Sequence, residues 1–364
     1  MSAAKAEVRR PAPRPLPARR LLMQGLVGPA FRNPEEAVSW FGAVQAQDYF
    51  GALWALGMRT RRATEALIEN AETRRAIVRT WPLRGTLHFV AADDVRWITK
   101  LLAPRVIARN QARWKREFGL DASLAAKARD VLARALEGGK RLERAELYAA
   151  LEARKIHAGQ SRGLHILLWL AMQGHLCLAG RSGKQQTFAL LDEWVPDSRK
   201  LEGEAALAEL ARRYFTSHGP ATLKDFVWWS GLTVKDALVA IEAAKQALRY
   251  EILDDIGHWS GATRALASRT ITSPVVRLLP AYDEFAVGYQ DRSALMPAGR
   301  RMNPMALLGP SVLVDGVVAG HWKRRVVRDS VRVDVKLLRK LSPAEAVALD
   351  EAQERYQEFL RPSA

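Results

Sequence analysis

The chain has 364 residues, 48% of them apolar, enough for two or three packed cores, and this excludes an unfolded polar chain. A net charge of +17 points to a polyanionic partner, with nucleic acid the first to consider. The single cysteine, Cys177, excludes an intrachain disulfide and a thiolate metal cluster, which fits a reducing cytoplasm.

Residues 1–17, with Pro11, Pro13, Pro15 and Pro17, read as a disordered basic arm, either a solvated tail or an aid to nonspecific DNA binding. No apolar run reaches the roughly 18 residues of a membrane span. The stretch from Leu21 to Phe31 follows Arg19 and Arg20 as an export signal would, but Gln24, Gly25, Gly28 and Pro29 interrupt it.

The fold class expected is α+β, with three tandem winged-helix units and a small C-terminal β-rich domain. The first unit, 18–118, carries a β segment from Ala76 to Val90 around Pro82 and Arg84-Gly85-Thr86. The second, 119–200, is the clearest. It predicts helices over Ser123–Glu137, Glu143–Arg154 and Ser161–Met172, with Ser161 as an N-cap. A hairpin follows, with strands around His175–Leu178 and Thr187–Leu191 and a polar tip at Gly180–Lys184.

The third unit, 201–270, repeats the order with helices near Glu204–Ser217, Thr222–Trp229 and Thr233–Ala247, capped at Thr233, then a strand over Leu248–Leu253. From 271 to 364 the pattern becomes short extended pieces: Val275–Leu279, Ser311–Val314, Val317–His321 and Val326–Val335, with Asp315-Gly316 as a turn. A helix over Pro343–Leu360 closes the chain.

Several motifs carry no chemistry. Gly159-Gln160-Ser161-Arg162-Gly163 has hydrolase-elbow spacing but lacks the preceding buried strand. Gly180–Lys184 is too short for a phosphate loop, and Gln185 stands where magnesium needs Ser or Thr. The seven histidines are scattered, with no pair at i, i+4 flanking a glutamate, so no metal site and no cofactor are expected.

Two basic surfaces favour DNA. Arg105, Arg109, Arg113 and Arg116 behind Pro104 would share one helix face, as phosphate contacts require, although a solvated helix surface has the same pattern. Residues 321–340 hold eight Lys or Arg, with Lys323, Arg324 and Arg325 beside Trp322. The wing tip adds Arg181 and Lys184. Base-reading helices are not evident: Leu164-His165-Ile166-Leu167-Leu168-Trp169-Leu170 reads as core.

In Ala43-Val44-Gln45-Ala46-Gln47-Asp48-Tyr49, two glutamines stand two apart. On an extended backbone their amides share a side, whereas on a helix they diverge by about 200°. Any joint role therefore requires extended or irregular backbone.

With this motif the chain resembles the AlkZ and YcaQ winged-helix DNA glycosylases, whose catalytic motif is Gln-x-Gln in the first branch and Gln-x-Asp in the second. Supporting stretches are Arg84-Gly85-Thr86-Leu87-His88, Leu279-Pro280-Ala281-Tyr282-Asp283-Glu284, Gly288-Tyr289-Gln290-Asp291-Arg292 and Gly320-His321-Trp322-Lys323-Arg324. Gln47 places the chain nearer the AlkZ-like branch. The resemblance implies removal of N7-alkylated purines from double-stranded DNA by hydrolysis without lyase chemistry. Bulky adducts or interstrand crosslinks are open as further substrates.

It implies Gln45 and Gln47 as catalytic residues, with Asp48 a weaker candidate. Arg84, His88, Tyr282, Asp283 and Arg292 are candidates to line the lesion cleft, the alternative for Arg84 and His88 being a wing near phosphate and for the other three a structural polar network. Lys323 and Arg324 are expected on DNA phosphate. A bacterial, cytoplasmic, nucleoid-associated enzyme without an obligate protein partner is the expectation, and a DNA-binding transcription regulator without excision activity is the alternative.

Overall fold

The computed structural model describes residues 15–28, 30–262, 271–327 and 330–361, so most of the expected basic arm lies outside the described residues. Helix α1 (Leu16–Met23) starts within the span expected to be arm, with Pro15 at its N-cap and a buried face of Leu21, Leu22 and Met23. It is followed by α2 (Pro34–Phe41), β1 (Val44–Gln45), α3 (Tyr49–Gly57), α4 (Glu65–Thr73), β2 (Ile77–Leu83) and β3 (Thr86–Ala91). The register of β2 on β3 shifts between Thr80 and Leu83, where Pro82 removes a ladder donor.

Helix α5 (Val95–Phe118) runs through Pro104 rather than starting behind it. One lost backbone bond is tolerated there because Val95, Trp97, Ile98, Leu102, Val106 and Trp114 bury an apolar face along the helix. Next come α6 (Ala122–Leu136), β4 (Leu142–Glu143), α7 (Arg144–Glu152), α8 (Arg162–Met172), β5 (Leu176–Ser182), β6 (Gln185–Leu190) and the short α9 (Leu191–Trp194). Ser161 holds the cap position of α8, but with left-handed backbone and no side-chain capping bond. The hairpin is longer than its apolar pattern suggests, leaving only Gly183 and Lys184 in the turn, because ladder bonds form between backbones whatever the side chains.

Then follow α10 (Gly203–His218), α11 (Leu223–Ser230), α12 (Val234–Ala244), β7 (Leu248–Leu253) and β8 (Ile256–Gly261), the last not foreseen. Thr233 caps α12 by accepting from the Asp236 N–H. The remaining elements are β9 (Val276–Leu279), α13 (Glu284–Val287), β10 (Ser311–Val314), β11 (Val317–Val327), β12 (Ser330–Leu337) and α14 (Pro343–Phe359). The basic run Trp322–Arg325 is part of β11, although its charges hide the strand pattern.

The sheets cross the expected unit boundaries. A six-stranded sheet has the order β1-β3-β2-β5-β6-β4, so the first two hairpins share one ladder, meeting where Arg79 of β2 pairs with Leu178 of β5. A four-stranded sheet has the order β12-β11-β10-β9, and β7 pairs with β8 alone. One core joins residues between 21 and 91 to residues between 275 and 359. A second centres on α10, α11 and α12, and a third on α6 and α8.

Candidate active site

The backbone condition on the two glutamines is met. β1 pairs antiparallel with β3, placing Gln45 opposite His88. Val44 and Ala46 enter the first core, so Gln45 and Gln47 lie on the other side of the segment. Gln45 is 7% exposed and Gln47 is exposed. The Gln45 Oε1 accepts the Gln47 backbone N–H at 2.9 Å, and Gln47 Oε1 accepts from Leu87 N at 3.4 Å.

Buried charges hold this tripeptide from two directions. Gln45 N donates to Glu284 Oε1 at 2.7 Å. Arg79 donates to the Ala46 carbonyl from Nε at 3.1 Å and from Nη2 at 2.8 Å. Ala46 N completes the set by donating to the Leu87 carbonyl at 2.8 Å.

Behind Arg79, Tyr49 Oη donates to Glu72 Oε2 at 3.0 Å, with the Arg79 guanidinium 5.0 Å from the Tyr49 ring. Burial lowers the Arg79 pKa from its ordinary value, against the pull of Glu72. Burial likewise raises Glu72, against its Tyr49 hydrogen bond and Arg79.

Glu284 is 1% exposed. Its Oε2 accepts from Trp229 Nε1 at 3.1 Å and lies 3.1 Å from His218 Nε2. Burial opposes ionisation of Glu284, but His218, then His88 and the Gln45 N–H, hold its carboxyl below the usual range. His88 is fully buried, and its Nδ1 lies 2.9 Å from the Thr86 carbonyl. Burial and then the charge of Arg84 lower its pKa to about 4, so the ring is neutral and Nδ1 carries the proton donated to Thr86. His88 Nε2 has no hydrogen-bond partner among the described residues.

The remaining cleft expectations divide. Arg84 bonds the Trp229 carbonyl, and burial lowers its pKa. Tyr282 is 37% exposed, with left-handed backbone at φ 59°. Asp283 does not open onto a cleft: its carboxylate takes both terminal nitrogens of buried Arg59, each at 2.8 Å, and accepts from Phe285 N. Arg292 is also buried, donating Nε to the Ala286 carbonyl at 2.9 Å, with its guanidinium 5.3 Å from the Trp228 ring. Asp48 is the N-cap of α3, accepting from Gly51 N at 3.2 Å.

Two expected DNA contacts converge beside the glutamines. Phe50, in the first turn of α3, is 42% exposed. The Arg181 guanidinium of β5 lies 5.2 Å from its ring and that of Arg324 of β11 lies 5.7 Å away. Lys323 precedes Arg324 on a regularly paired strand, so the two side chains leave opposite faces of the sheet. Lys184 is exposed at the hairpin turn.

On α5, Arg105 pairs with Asp236 at 2.7 Å, Arg116 with Glu117 at 3.2 Å and Arg113 with Glu117 at 3.9 Å, while Arg109 is exposed. Much of that basic face is thus engaged by carboxylates. Sequence reasoning passed over Arg79, Glu284, His218 and Phe50 as site residues. Glu284 alone carried a signal, lying inside a stretch matched to the family.

The profile of the family described as "DNA glycosylase AlkZ-like" matches residues 38–359. The interstrand DNA cross-link repair glycosylase of Streptomyces sahachiroi is 24% identical over 317 residues, covering 80% of this chain and 82% of that protein. The solved structure of the Streptomyces sahachiroi DNA glycosylase AlkZ is similar with a TM-score of 0.73 at 21% identity, covering 94% of this chain and 95% of the other. With the family profile spanning nearly all of the described residues and the overall fold shared, the chain belongs to the AlkZ-like DNA glycosylase family.

Proposed function

We propose that this protein hydrolyses the N-glycosidic bond of N7-alkylated purines in duplex DNA, with Gln45 and Gln47 as the catalytic pair. The observation carrying this reading is the convergence at α3: Gln47 is exposed three residues before Phe50, on which Arg181 and Arg324 meet from distant parts of the chain. Two guanidinium groups of the kind that suits phosphate thus gather near the motif, Arg181 also pairing with Glu69 at 3.1 Å. The reading of 18–118, 119–200 and 201–270 as winged-helix units, with 271–364 as a β-rich domain, is part of this proposal and gives each hairpin a DNA-facing role.

The chemistry needs no strong base. A purine alkylated at N7 is already cationic, so the C1′–N9 bond breaks with its electron pair moving to the neutralised base. The sugar becomes oxocarbenium-like. A glutamine carbonyl dipole stabilises that cation and orients water, whose oxygen bonds C1′ as a proton departs to solvent. Gln47 is the accessible member; Gln45 has its carbonyl engaged by the Gln47 amide and shapes the motif from beneath.

The test is excision of 7-methylguanine from a duplex, with alkali revealing abasic sites. Abasic product is expected; its absence, with preference for one short operator over random duplex, would establish the regulator instead. A parallel duplex carrying an N7-linked interstrand crosslink decides whether the activity named for the Streptomyces relative extends to this chain.

A further inference from the structure

We propose that Glu284 is the electrostatic partner of Gln45, a buried carboxylate that fixes the catalytic backbone and supplies negative charge where the sugar becomes cationic. The inference rests on the glycosylase reading above. Glu284 does not reach the surface, so it is a positioning residue acting through Gln45 and through its field.

The other carboxylates near the motif are differently engaged. Asp283 is neutralised by a bidentate bond to Arg59. Glu72 is buried behind Arg79 and Tyr49. Asp48 is exposed to water at the α3 cap, where its field is screened. Glu284, in contrast, has no Lys or Arg partner among the described residues: its Oε1 takes the Gln45 N–H, and its Oε2 takes Trp229 Nε1 and lies 3.1 Å from His218 Nε2, an ion pair only when that ring is protonated.

The groups facing Glu284 come from several elements: His218 on α10, His88 on β3, and Arg84 at the β2–β3 turn. Tyr214 of α10 and Tyr289 also feel its charge, and their hydroxyls stay protonated because burial raises both. Arg84 is directed to the Trp229 carbonyl and contributes a longer-range positive charge. His88 is neutral above its pKa of about 4, so its charge acts on Glu284 only in acid.

This arrangement suits the charge movement of the reaction. Before cleavage the positive charge sits on the alkylated base; as the C1′–N9 electron pair leaves with the base, that charge passes to the sugar. A fixed negative charge behind the Gln45 amide favours the second state without accepting a proton. Its preorganisation in a low-dielectric setting makes it effective.

The experiment uses the full chain and two probe duplexes, one with a pyrrolidine in place of the damaged sugar and one with neutral tetrahydrofuran. Pyrrolidine is protonated and mimics the sugar cation. The parent protein should prefer pyrrolidine, and Glu284→Gln should lose that preference by about tenfold or more while keeping tetrahydrofuran affinity. Single-turnover excision of 7-methylguanine should slow at least as much. Glu284→Asp keeps the charge with a shorter arm, so it should retain the preference, and it serves as the test if Glu284→Gln does not fold. A folded Glu284→Gln that prefers pyrrolidine and excises like the parent overturns the proposal, as does loss of preference in a folded Glu284→Asp. If the parent neither excises 7-methylguanine nor prefers pyrrolidine, the glycosylase reading itself fails.

Discussion

Arg79 closes two hydrogen bonds on the carbonyl of Ala46, the residue between the two glutamines, with distances of 3.1 and 2.8 Å. The guanidinium fork is matched to this task, since one planar group donates twice and fixes the peptide's orientation. Arg79 is also the residue at which the first two hairpins join into one sheet. The geometry of the motif is therefore coupled to the seam of the fold.

Replacing Arg79 with Met would leave the buried Ala46 carbonyl without its two side-chain donors and remove a positive charge that acts on Glu72. A loss of about 1–3 kcal/mol is expected, as for a buried acceptor left without its donors. Arg79→Lys keeps the charge but cannot form the fork, and should be milder in denaturant melts while still slowing excision. Equal melting midpoints for all three proteins would show that the clamp carries no load.

The glutamines have separable roles. Gln47→Ala removes the exposed amide and should reduce single-turnover excision of 7-methylguanine by about 10²-fold or more, with DNA affinity and melting temperature nearly unchanged. Gln45→Ala should slow the reaction similarly, with a small stability loss of about 1 kcal/mol from the missing bond to Gln47 N. Gln47→Asp should keep part of the activity, because a carboxylate also orients water. Parent rates in both folded alanine variants would place the catalytic centre elsewhere.

Arg324 and Lys323 are predicted to differ because they leave opposite faces of β11. Arg324→Ala should weaken duplex binding and make the dependence of log affinity on log salt shallower by about one unit, and Arg181→Ala should act the same way. Lys323→Ala should have the smaller effect on both quantities. The opposite ranking in salt titrations would show that DNA lies on the other face of the sheet.

His88 gives the fold a pH dependence with a defined sign. Its folded pKa is lowered to about 4, chiefly by burial, while the unfolded chain titrates near 6.5. The unfolded state therefore takes the proton first, and stability is lost as pH falls from about 6.5 to about 4, by about 3 kcal/mol in total. Denaturant melts from pH 7 to pH 4 should show a shallower decline in His88→Phe than in the parent. Parallel declines would mean that His88 is accessible to protons in the folded state.

Much of the architecture was legible in the chain itself. The three helices between Ala122 and Met172 follow the apolar period closely, and Thr233 caps its helix as its side chain dictates. The Gln-x-Gln spacing also set a condition, extended or irregular backbone, that β1 and the loop after it satisfy. These features depend on neighbours a few residues apart, which is why a local pattern encodes them.

The tertiary structure decided what surrounds the motif. Gln45 meets Glu284 and Ala46 meets Arg79 through pairings between segments far apart or on separate strands, and local periodicity carries no information about such partners. Phe50 looks like any apolar residue at a helix start until β5 and β11 bring Arg181 and Arg324 to its ring. The same packing withdrew Asp283, which a family-matched stretch left between cleft residue and structural polar group, into a buried pair with Arg59, because a carboxylate taken out of water needs a full complement of donors. Sequence thus determined the elements and the motif, while long-range packing determined which charges gather beside the motif and which only hold the fold.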